Sequence, residues 1–252
     1  MTTITASRAT PTRTRTYPII EIFGPTIQGE GAEAGLATHF LRVGGCDYRC
    51  SWCDTIYAVD PATVRGTARH LTTAGILEEI GALAGAPEWV TISGGNPALH
   101  HLDAVVDDLH DAGYRVSVET QGSRWRDWLG NVDRLTISPK PPSSAMATSK
   151  HAAEFFRFMD AALLAAADRS VLKIVCFDEA DLDWATATAA AFPDLPLFLS
   201  AGTPVPVPVR LRDAVGERYR WLCERVAETP ALARARVLPQ LHVIAWEAAT
   251  GV

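Results

Sequence analysis

The sequence lacks any apolar run that approaches the roughly 20 residues a helix needs to cross a bilayer, although 48% of its 252 residues are hydrophobic. It also lacks an excess of positive charge. Its 23 basic and 29 acidic residues give a formal net charge of −6, which offers no general attraction for nucleic acid. We therefore expect neither a membrane nor a polynucleotide among the partners of this chain.

No secretory signal peptide is recognisable at the start of the sequence, which together with clustered thiols indicates a reducing, cytoplasmic location. Residues 1–16 are rich in Thr, Ser and Arg and contain no acidic residue, so we expect a flexible N-terminal tail. Residues 17–252 are enough for a sizeable core. We expect them to form a single domain.

Cysteine is scarce and unevenly placed. The five cysteines are an odd number in a long chain, which argues against a disulfide framework. Cys46, Cys50 and Cys53 follow one another with the spacing C-x3-C-x2-C. Cys176 and Cys223 fall in an apolar strand pattern and an amphipathic helix pattern, where we expect buried, inert thiols.

Three thiolates are one ligand fewer than a structural zinc site uses. A zinc site would need a fourth ligand from elsewhere in the chain, such as His39, Cys176 or Cys223. Soft thiolates at this spacing could instead hold three irons of a 4Fe–4S cluster and leave the fourth iron open to an outside ligand. The local spacing favours the cluster, with zinc as the alternative.

Hydrophobic periodicity predicts alternating strands and helices, which is typical of a parallel sheet with crossover helices. The predicted strands are Tyr17 to Phe23, His39 to Val43, Trp89 to Ile92, Arg115 to Val118, Arg134 to Ile137, Val171 to Phe177 and Leu195 to Leu199. The predicted helices are Thr72 to Ala84, His100 to Ala112, about His151 to Ala167, about Ala180 to Phe192 and about Leu211 to Ala227. Gly24 to Gly31 is predicted to be a loop, and the Pro-Val alternation from Thr203 to Val209 excludes a central strand.

Polar residues and glycines collect where the predicted strands end. Segments 93–97, 119–123 and 138–142 each follow a predicted strand, and Lys173 lies within the next one. Ligands bind at the carboxyl ends of strands in parallel α/β architectures. We therefore expect a ligand site at this edge of the sheet.

The cysteine run, with Trp52 directly before its last cysteine, resembles the signature of the radical S-adenosylmethionine superfamily. Gly94-Gly95 resembles the superfamily's Gly-Gly-Glu motif, although the third residue here is Asn96, which can accept a hydrogen bond without the charge of a carboxylate. From about Tyr17 to its end, the chain resembles the 7-carboxy-7-deazaguanine synthase family. The motifs that carry this resemblance are Glu21-Ile22-Phe23, Ile27-Gln28-Gly29-Glu30-Gly31, Phe40-Leu41-Arg42, Cys46 to Thr55, Ser93-Gly94-Gly95-Asn96-Pro97, Glu119-Thr120-Gln121-Gly122, Ser138-Pro139-Lys140 and Pro239-Gln240-Leu241-His242.

This resemblance implies an α/β fold of the radical S-adenosylmethionine type, an incomplete (β/α) barrel of about six parallel strands, with an N-terminal substrate loop and a C-terminal extension. The family's enzymes are radical lyases that convert 6-carboxy-5,6,7,8-tetrahydropterin to 7-carboxy-7-deazaguanine and ammonia, towards queuosine and other 7-deazapurines. Three cofactors are implied: a 4Fe–4S cluster on Cys46, Cys50 and Cys53, S-adenosylmethionine, and Mg²⁺. An external electron donor and a homodimer are implied as partners.

The resemblance also implies roles for individual residues. The S-adenosylmethionine site would be lined by Trp52, Cys53, Asp54, Gly95, Asn96, Gln121, Ser138, Pro139 and Lys140. The pterin site would be lined by Ile27, Gln28, Gly29, Glu30, Arg42, Ser93 and Val252. Glu30 suits the guanidine-like edge of a pterin, and Arg42 suits a carboxylate. Thr55 would give a hydroxyl oxygen to Mg²⁺, with simple loop capping as the alternative.

Two other functions share the cysteine pattern. One is an activase that installs a glycyl radical on a partner protein, and the other is a zinc-binding or iron-sulfur-binding regulatory module. The histidines do not decide between these functions, because we expect structural roles for most of them. They are His100, His101, His110 and His151, whereas His242 follows the Pro-Gln-Leu run, where the resemblance implies the substrate pocket, with a structural role as the alternative.

Overall fold

The computed structural model describes residues 15–203 and 211–247 together with residues 249 and 251. Its strands are β1 (Tyr17–Ile27), β2 (Ala37–Val43), β3 (Arg69–Leu71), β4 (Trp89–Gly94), β5 (Arg115–Thr120), β6 (Arg134–Ile137), β7 (Ser170–Cys176), β8 (Leu197–Ala201) and β9 (Arg236–Leu238). In the described part of the chain these strands form one sheet of nine, in the order β3-β1-β2-β4-β5-β6-β7-β8-β9.

Seven neighbouring strands of this sheet, β2 and β4 to β9, run parallel to one another. β1 and β3 add an antiparallel edge beside β2. The end strands β3 and β9 are not paired with each other, so the sheet curves without closing. This confirms the predicted incomplete barrel, although the number of parallel strands is seven rather than six because the three-residue β9 is too short to recognise in the sequence.

Helices connect the parallel strands, as the alternating pattern predicts. They are α1 (Ile56–Val59), α2 (Pro61–Thr67), α3 (Thr73–Gly81), α4 (Asp103–Asp111), α5 (Ser149–Ala166), α6 (Glu179–Ala191), α7 (Leu211–Glu228) and α8 (Leu241–Trp246). Several begin where a side-chain oxygen accepts a backbone N–H of the first turn, which fixes the start of the helix. These capping residues are Asp60, Thr72, Thr148 and Asp178.

The two faces of the parallel strands differ in chemistry. Alternate residues such as Leu41, Ile92, Val118 and Ile137 are fully or almost fully buried in the main hydrophobic core, against the helices. Because successive side chains of a strand point to opposite faces, the residues between them point to the inside of the curved sheet. Many of those are polar, and we call this polar inner side of the sheet the chamber.

The first strand is longer than predicted. The Gly24 to Gly31 stretch was expected to be a loop, yet its first half belongs to β1, and Thr26 and Ile27 pair with Thr38 and Ala37 of β2. The register shifts between Phe23 and Thr26, which places the proline in an irregular part of the ladder where its missing N–H is tolerated.

Other boundaries also differ from the sequence prediction. α4 begins at Asp103 rather than His100, because Pro97–Leu99 forms a separate 3-10 turn that is capped by the side chain of Asn96. The short elements α1, α2 and β3 were not predicted. Residues 1–14 and 204–210 lie outside the described residues, and with them most of the predicted tail and the Pro-Val segment. Among the helices of the described chain, none combines the length and the apolar character needed to cross a membrane.

Candidate active site

The floor of the chamber is a chain of hydroxyl groups that crosses three strands. Thr38 of β2 and Thr91 of β4 share a hydrogen bond of 2.9 Å between their Oγ1 atoms, and Ser117 of β5 donates one to Thr91 at 3.0 Å. All three side chains are buried. Hydroxyls that satisfy one another can be buried without an unpaired polar group, which lets this face of the sheet stay polar.

Above this floor, Lys173 of β7 is held between two carboxylates. Its Nζ lies 2.9 Å from Glu30 Oε2 and 2.7 Å from Glu119 Oε1, and its side chain is only 3% exposed. The other carboxylate oxygen of Glu30 accepts a hydrogen bond from Gln240 Nε2 at 2.9 Å. This four-residue group, which we call the Lys173 network, joins both ends of the chain inside the chamber.

Burial and charge oppose each other in the Lys173 network. Burial alone would raise the pKa of Glu30, but the charge of Lys173, the nearby His242 and hydrogen bonds from Lys173 and Gln240 together lower it to about 2. Burial alone would lower the pKa of Lys173, but the charges of Glu119 and Glu30 raise it. Glu30 and Lys173 are therefore both ionised at neutral pH, and Glu30 presents a negative charge to the chamber.

The predicted substrate loop is closed by the C-terminal segment. Gln28 Oε1 accepts hydrogen bonds from the backbone N–H of Gly29 and of Glu30, at 2.7 and 3.3 Å. The oxygen of Gly29 accepts a hydrogen bond from Leu241 N at 3.1 Å. A Cβ at Gly29 would lie 2.3 Å from Nδ1 of His242, so only glycine permits this close approach.

Arg42 lies at the carboxyl end of β2, in register with Ser93 of β4. Its Nε donates a hydrogen bond to Glu21 Oε1, which also accepts one from the hydroxyl of Tyr57 at 2.9 Å. The guanidinium lies over the ring of Phe23, 5.8 Å from its centroid. One edge of the guanidinium is therefore occupied by the hydrogen bond to Glu21. Glu21 is part of the quoted family motifs, but its pairing with Arg42 was not predicted.

The three cysteines of the predicted cluster loop follow β2 and are half-buried. Burial raises the pKa of Cys46, and it raises the pKa of Cys50 to about 11. Both are therefore thiols at neutral pH unless a metal displaces their protons. Trp52 and Cys53 are half-buried beside them, whereas Asp54 is exposed.

The cluster loop rests directly on the glycine turn that follows β4. Gly45 N donates a hydrogen bond to Ala58 O at 2.7 Å, and Asn96 N donates one to Gly45 O at 2.8 Å. A Cβ at Gly95 would lie 2.1 Å from Gly45 O, so the second glycine of the motif is needed for backbone contact. The two predicted motifs are therefore one structural unit.

A second loop, 138–146, supports the cluster loop from the other side. Ser51 N donates a hydrogen bond to Ser144 O at 3.0 Å, and Trp52 Nε1 donates one to Ser143 Oγ at 2.9 Å. Ser143 in turn donates to Asp181 Oδ2 at 2.6 Å. The Trp52 ring also packs against Phe177, with 5.1 Å between the centroids. Ser143, Asp181 and Phe177 were missed because their partners are distant in sequence.

The predicted Ser138-Pro139-Lys140 turn begins this second loop. Ser138 and Pro139 are buried, and Lys140 Nζ donates a hydrogen bond to Ser138 Oγ at 2.9 Å. The same ammonium group lies 5.9 Å from the centroid of the Trp52 ring. The structure therefore brings this turn to the cluster loop, as the sequence prediction requires.

Asn96 is fully buried, and its side chain is completely engaged by the protein. Its Oδ1 accepts hydrogen bonds from Thr120 Oγ1 at 2.8 Å and from Ala98 N at 3.2 Å. Its Nδ2 donates to Asp47 Oδ1 and to Ser123 Oγ, both at 3.0 Å. Asn96 thus ties the cluster loop to the ends of β4 and β5.

Thr55 directly precedes α1, but its hydroxyl makes no capping hydrogen bond to that helix. Its Oγ1 lies 3.7 Å from Cys53 Sγ. Its hydroxyl therefore does not cap α1, and its one side-chain contact of this kind is within the cluster loop. Hard hydroxyl oxygen suits Mg²⁺, which usually keeps several water or substrate ligands beside few protein groups.

The remaining candidates occupy structural positions or lie outside the described part. His100 Nε2 is 2.9 Å from Gly44 O, and His151 Nδ1 is 2.7 Å from Met146 O, so both histidines have backbone partners. Val252, proposed at the pterin site, lies outside the described residues.

The donor set suits an iron-sulfur cluster better than a single zinc ion. Cys176 is fully buried within β7, and His39 lies about four residues, or roughly 13 Å, before the carboxyl end of β2. Over residues 15–203 and 211–247, no three His, Cys, Asp or Glu side chains are grouped around one ion position. Thiolates that each bind a different iron do not need to converge on one point.

Comparison with known proteins agrees with this arrangement. Residues 41–176 match the Radical SAM superfamily. The chain is 40% identical over 241 residues to a 7-carboxy-7-deazaguanine synthase of Bacillus cereus, which covers 93% of this chain and 98% of that protein. It is 40% identical over 245 residues to the Bacillus subtilis protein of the same name, with coverage of 93% and 98%.

Two solved structures share the fold. The crystal structure of QueE from Escherichia coli superposes with a TM-score of 0.64 at 21% identity, over 89% of this chain and 94% of that one. TYW1 with a lysine-pyruvate adduct bound superposes with a TM-score of 0.51 at 14% identity, over 74% of this chain and 73% of that one. At these identities the likeness concerns the fold alone.

Proposed function

Because the chain belongs to the 7-carboxy-7-deazaguanine synthase family of radical S-adenosylmethionine enzymes, we propose that its polar chamber converts 6-carboxy-5,6,7,8-tetrahydropterin to 7-carboxy-7-deazaguanine and ammonia. The observation that carries the substrate assignment is the Lys173 network. It holds the charged carboxylate of Glu30 inside the same barrel whose mouth bears the three cysteines. Family membership leaves no support for the activase or the regulatory module.

Cys46, Cys50 and Cys53 would hold the 4Fe–4S cluster, and the turns at Gly95, Gln121 and Ser138 would enclose S-adenosylmethionine. When bound, these two groups supply the one-electron chemistry that removes a hydrogen atom from the substrate. The fit rests on three half-buried thiols in a loop that packs directly against the glycine turn at the end of β4. The chain itself positions the reactants and excludes water.

Within the chamber, Glu30 would accept hydrogen bonds from the guanidine-like edge of the pterin. Lys173 keeps Glu30 ionised, which makes these hydrogen bonds charge-assisted and about twice as strong as neutral ones. The free edge of the Arg42 guanidinium would bind the substrate carboxylate. Thr55 would contribute one oxygen to a Mg²⁺ shared with that carboxylate.

The decisive experiment is anaerobic reconstitution with iron and sulfide, followed by incubation with the carboxytetrahydropterin, S-adenosylmethionine and a reductant. We expect 7-carboxy-7-deazaguanine by mass spectrometry, with no stoichiometric consumption of S-adenosylmethionine. A protein that binds zinc and no iron, or one that cleaves S-adenosylmethionine without forming this product, would reject the assignment.

The matched variants Glu30→Gln and Glu79→Gln test the role of the carboxylate. Glu30→Gln keeps the shape of the side chain but loses its charge, so we expect KM for the pterin to rise at least about tenfold. Glu79 pairs with Arg69 at the surface, and its variant should leave KM unchanged. Equal KM values for the two variants would remove Glu30 from the pterin site.

We also propose that the protein is a cytoplasmic homodimer served by an external electron donor. The dimer is supported by the outward face of α5, where the apolar side chains of Phe156, Leu163 and Leu164 are exposed, Leu164 by 91%. Leu164→Glu should convert a dimer to a monomer in sedimentation experiments. A wild-type monomer would reject this part of the proposal.

A further inference from the structure

A carboxylate without an assigned role lies in the cluster loop itself, at Asp47. Its Oδ1 accepts hydrogen bonds from Gln121 Nε2 at 2.6 Å and from Asn96 Nδ2 at 3.0 Å, and its Oδ2 accepts one from Ser123 Oγ at 2.7 Å. The side chain is nevertheless exposed. We propose that Asp47 binds the amino group of S-adenosylmethionine and supplies the negative charge that Asn96 lacks, an inference that rests on the proposed function.

The charge of Asp47 is oriented by the protein but not neutralised by it. Its three donors are an amide, a second amide and a hydroxyl, all uncharged. Among the ion pairs that join described residues, none includes Asp47. Since an ionised carboxylate offers about four acceptor positions, one position is still open for a donor that arrives with a ligand. An N–H donor that is polarised by a neighbouring positive charge, such as an amino group bound to a metal, gives a stronger hydrogen bond there than a neutral donor.

The position of Asp47 suits the methionine end of the cofactor. Gln121 Nε2, which holds the carboxylate, is also 3.8 Å from Cys46 Sγ. A single amide nitrogen therefore bridges Asp47 and a cluster ligand. The amino group of a cofactor bound at this end of the cluster loop would be within reach of the open acceptor position of Asp47.

Asn96 is unsuited to the same task, although it occupies the place of the motif's glutamate. Its side-chain oxygen already accepts hydrogen bonds from Thr120 Oγ1 and Ala98 N, and the residue is fully buried. What it can do is orient Asp47 through its Nδ2. We therefore assign Asn96 as a positioning residue and Asp47 as the cofactor ligand.

The variant Asp47→Asn tests this assignment, because it keeps the size of the side chain and removes its charge. The affinity of the cluster-loaded protein for S-adenosylmethionine, measured by anaerobic calorimetry, should fall roughly ten- to one-hundredfold. Affinity for 5′-methylthioadenosine, which lacks the amino group, should change less than about twofold. Iron content and the spectrum of the reduced cluster should match those of the wild type.

Two further variants distinguish the loss of the Asp47 charge from the loss of a hydrogen bond that orients Asp47. Ser123→Ala removes one hydrogen bond to Asp47 and keeps the carboxylate, so the loss of affinity should be smaller than for Asp47→Asn. Asp103→Asn removes a surface carboxylate that contacts Arg15, and it should have no effect. An Asp47→Asn protein that binds S-adenosylmethionine like the wild type, loses iron, or weakens both ligands equally would overturn the proposal. A wild-type protein that forms no 7-carboxy-7-deazaguanine would instead reject the proposed function, which is a different outcome from those above.

Discussion

The substitution Lys173→Met probes the Lys173 network most directly, because methionine has a similar length and no charge. In the wild type the ammonium group compensates Glu30 and Glu119, and its side chain is 3% exposed. Removing one partner of a buried ion pair costs about 3–5 kcal/mol, since it leaves charge buried without compensation. That is a large part of the roughly 5–15 kcal/mol by which domains are stable.

The pH dependence of this loss follows from the pKa of Glu30. In the wild type it is lowered to about 2, so the stabilisation is present above the ordinary value of 4.5 and is lost as the pH falls towards 2. Without Lys173, burial still raises the pKa of Glu30 and is opposed only by His242 and the hydrogen bond from Gln240, so this pKa is higher than in the wild type. The cost of the substitution relative to the wild type is therefore full at high pH and does not grow as the pH falls, because protonation of Glu30 removes the uncompensated charge more readily in the variant.

Urea unfolding of the cluster-free protein, followed by tryptophan fluorescence at pH 8 and pH 5.5, measures both effects. Lys150→Met is the matched control, because this lysine is 78% exposed and faces Glu154 on the same helix. We expect the control to change the free energy of unfolding by less than about 0.5 kcal/mol. The reasoning is refuted if Lys173→Met costs no more than the control, or if its cost grows at pH 5.5.

Three further substitutions test other parts of the site. Thr55→Ala should lower turnover and abolish its dependence on Mg²⁺, while Thr55→Ser should keep both; an unchanged magnesium response in the alanine variant would remove Thr55 from the metal site. Gly29→Ala should raise KM at least about tenfold, because its Cβ would lie 2.3 Å from His242 Nδ1. The control Gly66→Ala, whose Cβ would have no atom within 4 Å, should keep wild-type kinetics. Similar kinetics for the two variants would contradict the closure of the substrate loop. Arg42→Lys keeps the charge but loses the planar fork, so KM should rise about tenfold with kcat less affected, and unchanged KM would exclude a bidentate contact.

The parts of the fold that could be predicted are those with a local signal. The spacing of Cys46, Cys50 and Cys53 predicts the loop to which we assign the cluster, and hydrophobic periodicity placed most of the parallel strands. β1 was cut short in the prediction because Gly24 and Pro25 are usually turn residues. Pairing with β2 across a register shift overrides that preference, and no property of the segment itself reveals the partner strand.

The contacts that give the site its electrostatics could not be predicted, because they join residues far apart in the chain. Lys173 was noted at a strand position, but its partner Glu30 lies 143 residues earlier. No role was predicted for Asp47, which lies between two cysteines, because only the fold brings Gln121 to it from 74 residues away. Residue type can suggest a charge, but the three-dimensional fold decides which charge is compensated.

The contacts that support the cluster loop are separate from its thiols. Gly45, Ser51 and Trp52 are held by hydrogen bonds to other protein groups. In a zinc finger, by contrast, the bonds between metal and ligands themselves hold the fold. Substitution of a single cysteine in this loop should therefore remove a thiol without releasing the loop from its neighbours.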